Sequence, residues 1–421
     1  MDADMKTDVL IIGGGMAGLL TAYKLHSAGV PCLLIESDRI CGGVTRNTTA
    51  KLTSQHGLIY HTLLRQFGSD TARLYWTANE DAIEEFRTLS REIACDFEAT
   101  DSYVYSTHRP DKLEKEMASL QMLNIPGEMT PKTALPFHTE GAIRFRHQAQ
   151  FHPLKFAAEI SRNLEIREKT KALAFEGNTV ITDRGVIEAE KIVIATHFPM
   201  LNKHGSYFLK LYQQRSYVLA LKNVPKLEGM YRDEAETGFS LRSYADYLLL
   251  GGGSHRTGKQ SPGWAPLEAA AEKYYPQARP VRFWATQDCM TLDKMPYIGQ
   301  YSKQTPNLYV ATGFNKWGMT GAMAAATILC DLLQGKPDPY HNIFSPSRSI
   351  LHKQLLVNGF SAVTNLLTPT VPRCPHMGCA LKWNRQEHSW DCPCHGSRFT
   401  KGGKLLDNPA TRELNIDTNH S

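Results

Sequence analysis

The sequence predicts an α/β protein with a parallel-sheet domain at its amino end, a β-rich part inserted within that domain, and a small cysteine- and histidine-rich module at its carboxy end. Three observations predict it. Residues 7–36 run strand, glycine turn, helix, strand. Later apolar runs, "SYVLALK" and "YLLLGGG", have the length and β-branched or aromatic content of strands in a second sheet. Finally, four of the nine cysteines and three histidines crowd into residues 374–399, "CPHMGCALKWNRQEHSWDCPCHGSRF".

A chain of 421 residues fills two or three domain cores, so the cysteines are not needed as staples. The formal charge of +5 and pI near 8.6 come from nearly balanced acids and bases spread along the chain, a solvated surface rather than a nucleic-acid footprint. The polar start "MDADMKTD" and the glycine-broken run "VLIIGGGMAGLL" give neither a signal peptide nor a membrane span, which predicts a cytoplasmic protein. In a reducing compartment, clustered Cys and His point to metal sooner than to a disulfide framework.

The elements follow in order. "TDVLII" is a strand feeding into "GGGMAG"; "LLTAYKLHSAG" has helical spacing up to a glycine stop; "VPCLLIES" is a second strand ending in an acid. The crossover between the two strands implies a parallel sheet. Residues 58–98 read as helical, with charges on one face of "ANEDAIEEFRTLSREI", and a mixed region punctuated by Pro and Gly follows to about residue 170. "NTVITDRGVIEAEKIVIAT" is a hairpin and then a buried strand, and "NLYVATGFNKWGMTGAMAAATILCDLL" returns to strand, glycine turn and helix. Residues 1–340 form this body. Residues 341–372 read as a linker with one amphipathic helix, "SILHKQLLVNGFSAVTNLL", and residues 373–421 as the terminal module.

Gly13, Gly15 and Gly18 make G-x-G-x-x-G between a strand and a helix that Met16 and Ala17 begin, so a diphosphate can rest on backbone N–H groups at the helix N-terminus. Glu36 ends the next strand, where a carboxylate accepts hydrogen bonds from ribose hydroxyls. The motif alone does not separate NAD from FAD. A second such motif has one candidate, "LLLGGGSHRTG", but Arg256 stands where its last glycine is needed, and Gly251, Gly252 and Gly253 read as a tight turn after a strand. One dinucleotide is therefore expected.

The continuation "SDRICGGVTRNTTAK", at Arg39, Gly42 and Gly43, resembles the second glycine pair of flavoproteins of the glycine/D-amino-acid oxidase (DAO) superfamily. "KIVIATHFP" is similar to that family's strand near the adenosine side. "DKMPYIG", with Pro296 and Gly299, is similar to the motif ahead of its last FAD strand, and "LYVATGFNKWGMTGAMAAA" to its C-terminal signature. The resemblance implies FAD in a Rossmann-like domain of the glutathione-reductase type, with an inserted β-rich substrate domain. It implies contacts to the cofactor at Ser37, Arg39, Gly42, Gly43, Val44 and Thr49, then at Ala195, Thr196 and Gly299, and at Gly313, Gly318, Met319 and Thr320. Met319, Thr320 and Gly321 would open a helix whose positive end faces the flavin pyrimidine carbonyl.

In the tail, Cys374 and His376 are followed by Cys392 and His395, one Cys and one His from each of two loops; by residue type alone a Cys2His2 zinc site is open. Cys379 and Cys394 form an additional pair, one per loop, and "CPHMGC" with "CPCHGS" resembles the two cluster loops of Rieske proteins. This resemblance implies a small β-type module holding a [2Fe-2S] cluster, with Cys374 and Cys392 on one iron and His376 and His395 on the other. It further implies a disulfide between Cys379 and Cys394, and a Ser397 hydroxyl, next to Gly396, near the cluster sulfurs. Two neutral imidazoles in place of thiolates raise the potential of such a centre to about −150 to +300 mV. Rieske domains carry several strands ahead of the first loop, whereas here the linker helix ends shortly before Cys374. So short a module lacks core area of its own, and docking on the flavin body is expected. His388 reads as a surface hairpin residue, and Cys32, Cys41, Cys95, Cys289 and Cys330 as ordinary buried or half-buried cysteines.

Enzymes resembling this fold take a hydride from the C–H next to an amine nitrogen, so the protein need only orient its substrate over the ring. Candidates for that task are Arg215, Tyr217, His255, Arg256, Lys316 and Trp317, with His56 near the ring or in the core. An Arg would pair with a substrate carboxylate. The expectation is an FAD-dependent amine or amino-acid dehydrogenase that passes electrons through the cluster to an external one-electron carrier. Two alternatives stand beside it: the reverse flow, from carrier through cluster to flavin, and a flavin oxidase whose tail is a structural zinc or docking module. A Rieske oxygenase is disfavoured, since no added domain carries an evident 2-His-1-carboxylate iron site.

Overall fold

Met5–Ile12 (β1) becomes an inner strand because its last four residues, Val9 to Ile12, are apolar and buried on both faces. It pairs in parallel with Cys32–Ile35 (β2) on one side and with Gly185–Ile194 on the other. Helix Met16–Ser27 (α1) makes the crossover and stops at Gly29, whose φ of 73° a residue with a Cβ adopts rarely. The computed structural model describes residues 4–201, 204–348 and 372–415; the amphipathic helix expected at 349–367 lies outside them.

The first sheet runs Tyr297–Gln300, Leu308–Thr312, Gly185–Ile194, β1, β2, Ile166–Arg167, with the hairpin of Ala172–Glu176 and Thr179–Thr182 attached to Gly185–Ile194. One face is covered by α1, Tyr60–Leu89 and Gly318–Leu333; the small side chains of "GMTGAMAAA" let that last helix lie directly on α1. The long helix ends at Leu89, short of the expected residue 98. Asp96, at φ 52°, breaks the path, and the alternating "EATDSYVYS" becomes the strand Glu98–Ser106 instead.

The second sheet holds nine strands among the described residues. Its main path is Arg279–Thr291, Leu211–Lys222, Tyr247–Arg256, Ser240–Tyr244, Met230–Asp233, Glu98–Ser106, Gly141–Gln150, Lys51–Leu52. Gly251, Gly252 and Gly253 lie inside the strand Tyr247–Arg256 and form no turn. Neighbouring side chains leave no room there: a Cβ on Gly252 would sit 3.0 Å from Leu267 Cδ2 and 3.1 Å from Phe239 Cδ1.

Packing of the body continues past residue 340. His341–Phe344 is helical with Phe344 buried, and Arg348 pairs with Asp293 and donates to the carbonyls of Met295 and Pro296. The terminal module is an antiparallel sheet of Lys382–Asn384, Ser389–Asp391, Arg398–Thr400 and Leu405–Asp407. Its small core includes Leu381, Phe399 and Leu414 as well as its four cysteines.

Candidate flavin cleft and metal centre

A cleft of about 730 Å³ opens between the parallel sheet and the second sheet. At one end the strand-to-helix turn is built for backbone proximity: Gly13 has φ 113°, and a Cβ on it would lie 2.6 Å from the Ala195 carbonyl oxygen. A Cβ on Gly18 would lie 1.9 Å from the Gly13 oxygen, so Gly18 serves helix packing and does not face the cleft. Gly15 caps α1 without a side chain of its own, Thr45 Oγ1 accepts the Met16 N–H at 3.1 Å, and Gly15, Met16 and Ala17 line the cleft. Glu36 also lines it, its carboxylate accepting from the N–H groups of Gly14 and Asp38 at 2.8 Å each.

Ser37, Arg39, Gly42, Gly43, Val44 and Thr49 continue this wall, as do Ala195 and Thr196. Gly318 and Met319 form the floor at the start of a helix with no side-chain cap. Besides Gly18, three expected contacts are elsewhere. Gly299 faces Pro346 and Leu332, and Gly313 packs against Thr291. Thr320 is buried with its hydroxyl 3.2 Å from His56 Nε2. Helix starts lining the cleft, crowded glycines and the carboxylate of Glu36 fit an elongated dinucleotide with a central diphosphate.

The opposite wall carries polar groups. Lys316, held at φ 75° after Asn315 at φ 50°, enters from the last glycine turn; Asn315 straps that turn to Thr291. Lys316 Nζ donates to Ser216 and Ser254 and lies 3.5 Å from Asp288, while burial lowers its pKa. Trp317 lines the cleft and stacks on the His56 ring at 4.7 Å. His56 itself bonds Tyr75 and the Thr53 carbonyl, and burial lowers its imidazole to about 3, so it is a core residue.

Arg215, His255 and Arg256 do not line the cleft, and Tyr217, at its edge, spends its hydroxyl on Ser261 and Glu387. They belong to the contact with the terminal module: Arg215 pairs with Glu387, and Arg256 donates to the Cys394 carbonyl at 3.1 Å over the Tyr212 ring. His255 stacks on Tyr217. Sequence reading missed two cleft cations, Arg232 and Lys51. The Arg232 guanidinium lies over Trp317, 5.6 Å from the ring centroid, and has no carboxylate in ion-pair contact among the described residues. Lys51 donates to the Tyr231 carbonyl and Ser240. Short polar strands far apart in sequence supply both, so no local motif marks them.

The two tail loops are built alike. Gly378 N–H donates to the Cys374 carbonyl and Gly396 N–H to that of Cys392, each at 2.9 Å, while Cys374 and Cys392 N–H groups close back on Cys379 and Ser397. Gly378 and Gly396 have φ 74° and 86°, the left-handed conformation these tight loops require. Cys379 and Cys394 are joined in a disulfide linking the loops. Cys374 and Cys392 are buried side by side, and the Cys392 thiol hydrogen-bonded to it lowers Cys374 to about 7, with Ser397 adding to the effect. Burial lowers His376 to about 4 and His395 to about 3, keeping both imidazoles neutral. His395 Nε2 donates to the Phe208 carbonyl at 2.9 Å, and its buried Nδ1 has no hydrogen-bond partner, as expected of a nitrogen reserved for a metal. The two rings stand 5.0 Å apart. Two thiols, two neutral imidazoles and an orphaned ring nitrogen fit a [2Fe-2S] cluster of mixed ligation. His388 is exposed in the intervening hairpin.

The module sits on the body through buried charge and amide contacts. Glu387 is shared by Arg215 and Arg398, and Arg398 also pairs with Asp391 and Asp407. Gln213 donates to the carbonyls of His395 and Asn408, and Gln287 to that of Gly396. Gly258 makes the closest approach: a Cβ there would lie 2.5 Å from Pro393 N.

The sequence matches the FAD dependent oxidoreductase (DAO) family over residues 8–332 and the Rieske [2Fe-2S] domain over residues 359–417. It is 34% identical to YhfW of Bacillus subtilis (strain 168), named as a Rieske 2Fe-2S iron-sulfur protein, across 98% of this chain and 94% of that one. It is 23% identical to the gamma-glutamylputrescine oxidoreductase of Escherichia coli (strain K12), across 81% and 86%. In fold it is similar to glycine oxidase from Geobacillus kaustophilus, with a TM-score of 0.69 and 19% identity over 82% of this chain and all of that one. The Rieske match removes the zinc alternative. Among the described residues no helix is long and apolar enough to cross a membrane.

Proposed function

Because the chain belongs to the FAD dependent oxidoreductase (DAO) family and carries a Rieske [2Fe-2S] domain, we propose that it oxidises a C–N bond of an amine or amino acid and delivers the electrons to an external one-electron carrier of the cytoplasm. The observation that carries this reading is the position of residues 196–198. Thr196 and His197 line the flavin cleft, while the adjoining Phe198 ring packs edge-on against His376 and His395, with centroids 6.4 and 6.1 Å away.

Gly13, Gly15, Glu36, Thr196 and Met319 are among the residues that would hold FAD, and Cys374, His376, Cys392 and His395 those that would hold the cluster. When bound, FAD supplies a two-electron acceptor and the cluster a one-electron carrier. The protein's own part is orientation. Arg232 anchors a substrate carboxylate by charge-assisted hydrogen bonds, and Trp317 gives an apolar wall beside it. Lys316 Nζ, which donates to Ser216 and Ser254 and lies 3.5 Å from Asp288, adds a fixed polar group to the same wall.

The test is anaerobic mixing of the holo-protein with a panel of amines and amino acids. A substrate should bleach the flavin absorbance and bring up the electron paramagnetic resonance signal of the reduced cluster. In Cys392→Ser with FAD retained, bleaching should persist while reoxidation by a one-electron carrier slows. Absence of bleaching by every member of the panel, or unchanged reoxidation in Cys392→Ser, would sink the reading.

A further inference from the structure

We infer that FAD is enclosed jointly by the flavin domain and by residues 404–413 of the cluster module, so that FAD binding and module docking stabilise one another. Asp407, Asn408, Ala410 and Thr411 line the same cleft as Gly13, Glu36 and Thr196, although they follow the cluster loops in the chain. The segment is a fixed wall, pinned at several points. Asn408 Nδ2 donates to the carbonyls of Thr196 and Phe198, and Lys171 Nζ to that of Thr411 at 2.7 Å.

The same segment is tied to the cluster loops. Ser397, in the second cluster loop, accepts the Ala410 N–H at 2.9 Å, and Gln213 bridges the carbonyls of His395 and Asn408. Asp407 joins the buried charge network under the module at Arg398 and faces the cleft on its other side. Leu406, also lining the cleft, is 48% exposed, an apolar side chain that loses solvent when the cleft is filled. A ligand that touches both bodies must favour their docked arrangement, and docking must by reciprocity retain the ligand. Docking of the one-electron outlet is then favoured when FAD is bound.

The inference rests on FAD and cluster binding alone, and its test uses no turnover, so it stands or falls separately from the proposed substrate and electron direction. Amide hydrogen exchange is compared in full-length, cluster-containing protein with FAD bound and with FAD removed by dialysis against bromide. Residues 404–413 should exchange at least about tenfold faster without FAD, while Phe399 in the module core does not change. In parallel, FAD release is followed by its fluorescence: Asn408→Ala should release FAD at least about fivefold faster than the parent at equal iron content. Lys171→Ala, outside the module, should accelerate release at least about twofold and carries this arm if Asn408→Ala loses its cluster. Both the exchange and the release effects are required; unchanged exchange, or release below these thresholds, overturns the inference.

Discussion

Arg232 enters the cleft from the strand Met230–Asp233 with its guanidinium over the Trp317 ring and no ion-pair contact among the described residues, and burial lowers its pKa against the partial support of Asp288 and Glu236. A guanidinium desolvated without a carboxylate is costly unless an anion arrives with the substrate. Charge-assisted hydrogen bonds of this kind contribute about 1.5–3 kcal/mol, so Arg232→Met should lower kcat/KM for amino acids by about 10- to 100-fold, chiefly through KM. Amines lacking a carboxylate should be spared. Equal losses on an amino acid and its decarboxylated amine, measured as anaerobic flavin bleaching, would show that Arg232 does not read the carboxylate. Lys316 and Trp317 were legible because they sit in a glycine turn with a family likeness. Arg215 was misread for the same kind of reason: an arginine on a strand of the second sheet looks the same in sequence whether its side chain turns toward the cleft or toward Glu387.

At the scale of elements, the β1, α1, β2 unit depends on Gly18, which lets the first turn of α1 lie against the Gly13 carbonyl. Gly18→Ala adds a methyl where 1.9 Å is available, so α1 must move outward and carry with it the N–H groups that face the cleft. Overpacking of this kind costs about 1–3 kcal/mol, and the expected result is purified protein with reduced FAD content and a lower thermal midpoint. Full FAD occupancy with an unshifted midpoint would mean the turn relaxes without consequence for the cofactor. This unit and the cluster loops could be read from sequence because their chemistry is local: close backbone approach demands glycines at fixed spacing, and two loops repeat one pattern of cysteine, proline and glycine. Arg232, Lys51 and the end of the long helix could not, since they depend on which strands pair across the second sheet. The glycines 251–253 mislead for a related reason, because at Gly252 and Gly253 it is the close approach of other side chains, not a turn, that crowds a Cβ.

The molecule as a whole hangs together at the seam between flavin body and cluster module. Arg215 and Arg398 share Glu387 there, with side-chain exposures of 6%, 6% and 10%, so water offers little to any of the three. Removing one member of an isolated buried pair costs about 3–5 kcal/mol because the remaining charge is stranded; Glu387 keeps Arg398 when Arg215 is lost, so the cost here is smaller. In Arg215→Ala that loss falls on docking, since the arginine does not itself line the cleft and reaches the module at Glu387 and, at 3.8 Å, Asp407, while the module keeps its own core. With excess FAD present to offset the weaker retention that looser docking brings, substrate should still bleach the flavin in this variant, while the cluster signal rises more slowly and iron content stays unchanged. Were the cluster to be reduced as fast as in the parent, contact across residues 196–198 would not be the route between the centres. Slow cluster reduction with intact flavin bleaching would instead make the seam itself, rather than either cofactor site, the element that joins two-electron chemistry to one-electron transfer.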